Sequence, residues 1–115
     1  MLTISRSQIS SFGNELKIKF ILETIPKVRN KYPEKTFKIK DQELLILIDN
    51  IVDRAAKFQI VLENDVFQFI FIDYRLGNSF ELDPEKIDIL KILQHRTLTG
   101  TRKMEKVIDL ISSLD

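Results

Sequence analysis

Seven consecutive residues, Val66-Phe67-Gln68-Phe69-Ile70-Phe71-Ile72, decide which fold class this chain can adopt. Rich in β-branched and aromatic side chains, they are by propensity its best strand. Their flanks argue the opposite. Glu63-Asn64-Asp65 precedes them as an acidic first turn, and Arg75-Leu76-Gly77 follows as a basic last turn with a C′ glycine. A lone strand would have no pairing partner, because every neighbouring segment reads as helix. Residues 65–76 are therefore expected to form a buried helix, which makes the whole chain all-α.

The neighbours are helical on pattern. Ser5-Arg6-Ser7-Gln8 is a capping box, in which the Ser hydroxyl and the Gln side chain satisfy each other's orphan backbone donors. Ile9, Phe12, Leu16 and Phe20 follow at helical spacing, continued by Ile18, Ile21, Leu22, Ile25 and Val28. This predicts a helix over residues 6–30, kinked at Pro26 by the missing donor and the ring clash. Tyr32-Pro33 closes it, and residues 34–40 read as a polar connection. Asp41 is the expected N-cap of the next helix, with Glu43 favourable at its positive end. Leu44, Leu47, Ile48, Ile51, Ala55 and Phe58 form one stripe there, and Leu45, Val52 and Ala56 a second. An apolar arc that wide marks a central helix. Asp83-Pro84-Glu85 starts a fourth helix, with Ile87, Leu90 and Leu93 expected in the core. Thr99-Gly100-Thr101-Arg102 breaks the chain before a last helix that buries Met104, Val107, Ile108, Ile111 and Leu114. The expectation is a single all-α domain over residues 1–115, of about five helices, orthogonal or bundle-like.

At 115 residues and 43% hydrophobic composition, the chain can bury roughly two thirds of its unfolded surface and needs no staples. With no cysteine, it has no disulfide framework, thiolate metal site or thiol nucleophile. The cytoplasm is the expected compartment. No secretory signal is evident at the N-terminus. The most apolar windows, residues 44–48 and 66–72, fall far short of the ~20 residues that span a bilayer.

The inventory for catalysis is thin. His95 is the only histidine, and its place near the end of the fourth helix is where a cationic ring favours the negative pole. Gly13, Gly77 and Gly100 are isolated and match no phosphate loop. Glu81, Asp83, Glu85 and Asp88 cluster, but without the alternate spacing and central glycine of a calcium loop. On a first helical turn they offset the macrodipole without any chemistry. No enzyme, cofactor or metal is expected.

Charge is divided unevenly. Residues 1–57 carry a net +4 and residues 58–115 a net −3. The basic excess lies in Lys17, Lys19, Lys27, Arg29, Lys31, Lys35, Lys38 and Lys40, with Phe20, Tyr32 and Phe37 interleaved. That composition suits a nucleic-acid-binding module using phosphate contacts and stacking. The plainer reading is that the lysines solvate an outer helix face while the aromatics pack inward. Only one of the eight, Arg29, is Arg, the residue preferred for bidentate phosphate and base contacts. A complementary protein partner explains the same charge layout.

The pattern Asp53-Arg54-Ala55-Ala56-x-x-x-Ile60, then Glu63-x-Asp65-Val66, then Leu76-Gly77-x-x-Phe80-x-x-Asp83-Pro84 resembles a family of small helical bacterial proteins encoded beside type VI secretion spike and effector genes. Leu2-Thr3-Ile4-x-x-x-Gln8-x-x-x-Phe12 and the closing Arg102-Lys103-Met104-Glu105-Lys106-Val107 are similar in placement. Members often carry a glycine where this chain has Gln59, and a tryptophan in the fourth helix where Ile87 to Leu90 stand here. The resemblance brings no catalytic residues. It implies an accessory role in secretion, as adaptor, effector chaperone or immunity partner, with a spike component or effector as the bound protein.

Interfaces are anchored by aromatics and Arg. The aromatics outside the clearest core stripes are Tyr32, Phe37 and Phe80, and the nearby Arg residues are Arg29 and Arg75. These five are the expected partner-binding residues. For the loop after Gly77 the favoured reading is that Phe80 and Leu82 both plug the end of the bundle; the alternative leaves at least one of them exposed for a partner.

Overall fold

The computed structural model describes residues 14–114, with side chains from residue 15 to residue 113. Their order is α1 (Asn14–Lys31), α2 (Pro33–Thr36), α3 (Asp41–Lys57), α4 (Glu63–Leu76), two 3₁₀ turns (Phe80–Leu82 and Pro84–Lys86), α5 (Ile87–Leu93) and α6 (Gly100–Leu114). No strand occurs among the described residues. The all-α expectation holds. The added element is α2, one short helix where a polar connection was expected; Pro33 supplies its first turn and the Phe37 N–H closes it on the Pro33 carbonyl at 3.0 Å. The Ser5–Gln8 capping box lies outside the described residues.

The strand-like run is helical. Phe69 and Ile70 of α4 are fully buried while Phe67 and Phe71 are half-buried, so its apolar residues surround a helix packed on several sides. Gly77 ends the helix at φ +112°, a conformation that L side chains rarely adopt.

Helices α1 and α3 run antiparallel. Lys17 near the start of α1 meets Asp49 and Asp53 late in α3, each at 2.6 Å, and Arg29 near the end of α1 meets Asp41 at the start of α3 at 2.7 Å. Burial disfavours the Lys17 charge, but hydrogen bonds and attraction from both aspartates outweigh it and hold its pKa above the usual lysine value. Asp41 is thus not the N-cap; Lys40 takes that position, and the Asp41 carboxylate receives Arg29 instead. Helix α1 continues through Pro26, whose ring faces solvent.

At the far end of α3 the chain reverses through a Schellman turn. Gln59 sits at φ +61°, the Gln59 N–H donates to the Ala56 carbonyl at 3.0 Å, and the Ile60 N–H donates to the Ala55 carbonyl at 3.1 Å. Gln59 occupies a position where glycine is the usual residue. Helix α6 begins directly against this turn: a Cβ on Gly100 would stand 2.5 Å from the Gln59 carbonyl oxygen.

Four stripe assignments need correcting. Ile18, Leu22, Leu47 and Ile87 are exposed, while Ile89, off the predicted stripe, is buried at 1%. The Asp83-Pro84 start is real, since Asp83 Oδ1 accepts the Glu85 N–H at 3.0 Å. It opens a 3₁₀ turn rather than the α-helix, so the register of α5 begins only at Ile87.

Candidate functional site

Helix α4 presents Phe67, Phe71 and Ile72 along one side, and the end of α1 and the last turns of α6 rise around them. Together with Tyr32, Ile108 and Ile111 they line an apolar cleft of about 240 Å³, with Lys31, Gln68, Arg75 and Ser112 at its rim. The floor is fixed by ring contacts. Phe67 and Phe71 lie 4.4 Å apart between centroids, and Tyr32 packs edge-on to Phe71 at 5.7 Å. Tyr32 also stacks on Tyr74, and its hydroxyl donates to the Phe71 carbonyl at 3.2 Å. Burial pushes the Tyr32 and Tyr74 phenols above their usual pKa. Lys31 and Arg75 stand at the rim, while Lys27 lies over Phe67, 5.1 Å from its centroid, in a neighbouring groove with Glu23 and Glu63.

The five expected partner-binding residues separate. Tyr32 and Arg75 meet at this cleft. Arg29 is structural: its guanidinium donates to the Thr36 carbonyl at 2.8 Å, the Ile39 carbonyl at 2.6 Å and Asp41 at 2.7 Å, tying α2 to the start of α3. Phe37 stands in solvent, 70% exposed, with Lys38 over its ring. Phe80 is a correction. It is 2% exposed and packs on Phe69 with centroids 5.1 Å apart, because the 3₁₀ turn that carries it points Phe80 and Glu81 inward and leaves Leu82 outside.

The basic stretch is partly consumed. Lys17 and Arg29 are paired with aspartates, and Lys35 donates to the Tyr74 carbonyl. Of its aromatics, Phe20 is buried and Tyr32 is held between Phe71 and Tyr74. His95 is exposed just past the end of α5, its Nδ1 beside the Thr97 N–H at 3.3 Å. Among the described residues, no group of three or more His, Cys, Asp or Glu is arranged to hold a metal ion, and no helix is long and apolar enough to cross a membrane.

Sequence reasoning missed two ties that involve buried charges, one centred on the half-buried Arg54 and one on Lys103. Arg54 donates to both oxygens of Glu81 and to Asp73 Oδ1, which also accepts the Ser79 N–H at 2.9 Å. Its guanidinium lies 5.7 Å from the Phe69 ring centroid. Burial works against these charges, but the mutual hydrogen bonds raise the Arg54 pKa and lower that of Glu81. Lys103 is 1% exposed and donates to the Phe58 carbonyl at 2.9 Å and to Gln59 Oε1 at 3.0 Å. It places a cation at the negative end of α3. Both are internal ties rather than reactive groups: Arg54 anchors the turn after α4, and Lys103 anchors α6 to the end of α3. Comparison with family models, curated proteins and solved structures finds no match for this chain.

Proposed function

We propose that this chain is a non-enzymatic protein-binding module that serves a bacterial secretion system as adaptor, effector chaperone or immunity partner, working in the cytoplasm. It receives an apolar side chain of its partner in the cleft between α1, α4 and α6. The observation that carries the reading is the make-up of that cleft: three half-buried aromatic rings with Lys31 and Arg75 at the rim. A volume of about 240 Å³ lies below the roughly 300 Å³ at which small-molecule and cofactor pockets begin. It suits one or two side chains of a protein segment whose flanking residues are acidic. The secretion context rests on the resemblance carried by the Asp53–Ile60, Glu63–Val66 and Leu76–Pro84 patterns.

A nucleic-acid reading draws on the exposed Lys19, Lys31, Lys38 and Lys40. Stacking supplies little to it, since Phe37 is the one aromatic of residues 17–40 that is exposed.

The test is co-expression with the spike component or effector encoded beside the gene, followed by calorimetric titration of the purified pair. Ser112→Trp, at an exposed rim position, fills the cleft and is expected to weaken binding by about tenfold or more, roughly 1.4 kcal/mol. Lys31→Glu should weaken it and flatten its salt dependence. Binding unaffected by both, with the helical circular dichroism intact, would remove the cleft from the interface. Tight, salt-dependent binding of DNA or RNA by the wild type would favour the other reading.

A further inference from the structure

Two surfaces away from the aromatic cleft each expose large apolar side chains, and their charges are opposite. At the turn after α2, Phe37 is 70% exposed among exposed Lys35, Lys38 and Lys40, which outnumber the exposed Glu34 and the Asp41 that is paired with Arg29. At the turns leading into α5, Leu82 is 73% and Ile87 47% exposed, close in sequence to exposed Glu85 and Asp88, while the intervening Lys86 is paired with Asp83. We infer that the chain binds a second copy of itself, head to tail, with the Phe37 surface of one copy seated on the Leu82–Ile87 surface of the next.

Both surfaces are preformed. The Phe37 N–H is bonded to the Pro33 carbonyl at 3.0 Å, and Arg29 ties the following residues down through the Thr36 and Ile39 carbonyls. The Leu82 N–H is bonded to the Ser79 carbonyl at 2.9 Å, and Asp83 caps the next turn. Leu82 cannot fold inward, because Phe80 and Glu81 of the same tight turn already occupy the core side. Little ordering entropy therefore opposes association. An apolar group rimmed by cations calls for an apolar group rimmed by anions, and the chain itself carries one of each. With a net charge of only +1, copies scarcely repel one another as wholes, so the local complementarity decides. The two patches differ, so the contact is heterologous, and each added copy leaves one patch of each kind open.

Sedimentation of the full chain at about 100 μM, the range of weak and small interfaces, is expected to show mass above the monomer at low salt. About 0.5 M salt should return it to monomer as the charges are screened. Phe37→Ala and Leu82→Ala change exposed side chains and should each give monomer without loss of helical signal. Lys38→Glu/Lys40→Glu disables one surface, Glu85→Lys/Asp88→Lys the other, and each variant alone should be monomeric. Mixed, they retain one intact surface each and should form a complex that stops at one copy of each. Wild type that stays monomeric at low salt, or an assembly that survives Phe37→Ala and Leu82→Ala, overturns the inference. Neither result bears on the aromatic cleft, whose residues are untouched in all these variants.

Discussion

Arg54 grips Glu81 with two hydrogen bonds, Nε to Oε2 at 2.9 Å and Nη2 to Oε1 at 2.6 Å, although the two residues lie 27 apart in sequence. With Asp73 on the same Nη2 at 2.7 Å, one cation serves two carboxylates that are each about 5% exposed. Removing it leaves two buried anions facing each other. Arg54→Met is expected to cost about 3–5 kcal/mol, the range for breaking a buried ion pair from one side. Urea denaturation measures it. A loss within about 0.5 kcal/mol, the size of an ordinary surface substitution, would show that the network holds nothing together.

The same pair sets an acid sensitivity. Burial alone would raise the Glu81 pKa, but its bonds to Arg54 bring it below the ordinary 4.5. A carboxylate with a depressed folded pKa contributes fully above its unfolded value, and the contribution is lost as pH falls through the folded value. For this group stability should be level from neutral pH down to the ordinary carboxylate range, then decline below it. Glu81→Gln should be less stable than wild type at pH 7 and should approach it as the pH falls below that range. Parallel acid curves for the two proteins would assign the acid sensitivity elsewhere, Asp83 being the next carboxylate held low, by Lys86.

What the sequence made legible follows from how local each signal is. Helix α4 could be recognised against its own composition because Glu63, Asp65, Arg75 and Gly77 act within a turn of their helix. Phe80 could not be placed, since its burial depends on Phe69 eleven positions away and on a tight turn whose facing no periodicity reports. In α5 a seven-residue helix entered through a 3₁₀ turn has too few repeats to fix its phase, which is why Ile89 rather than Ile87 is inside. The Arg54 and Lys103 ties join residues 19 to 45 apart, beyond any pattern read along the chain. The cleft was half visible. Tyr32 and Arg75 were marked by type, but Phe67 and Phe71 were hidden within the run taken for core.

Phe80 and Phe37 offer a direct contrast between an inward and an outward aromatic. Phe80→Ala removes a ring that is 2% exposed against Phe69 and should cost about 3–5 kcal/mol. Phe37→Ala, at 70% exposure, should stay within about 0.5 kcal/mol of wild type. Chemical denaturation of the two variants side by side checks both. Equal losses would mean that the turns after α2 and α4 are packed alike.

Lys103 predicts an unusual gain of stability in mild alkali. Its ammonium is buried, with the Phe58 carbonyl and Gln59 Oε1 as acceptors, and burial lowers its pKa from the ordinary 10.5. A base with a depressed folded pKa loses its proton in the native state while the unfolded chain still holds it. The unfolded state then binds more protons, and stability rises with pH up to the unfolded value. Lys17 does not counter this below pH 10.5, because its pKa is shifted upward and its contribution persists there. Tyr32 and Tyr74, also shifted upward, reduce stability as the pH approaches their ordinary range, but they do so equally in any Lys103 variant. Lys103→Met forfeits the bonds to the Phe58 and Gln59 oxygens at every pH, which displaces its curve without tilting it. The denaturation midpoint of wild type minus that of Lys103→Met should therefore increase between pH 8 and pH 10. A difference that stays constant across that window would mean that the Lys103 ammonium is as well solvated in the fold as in the unfolded chain.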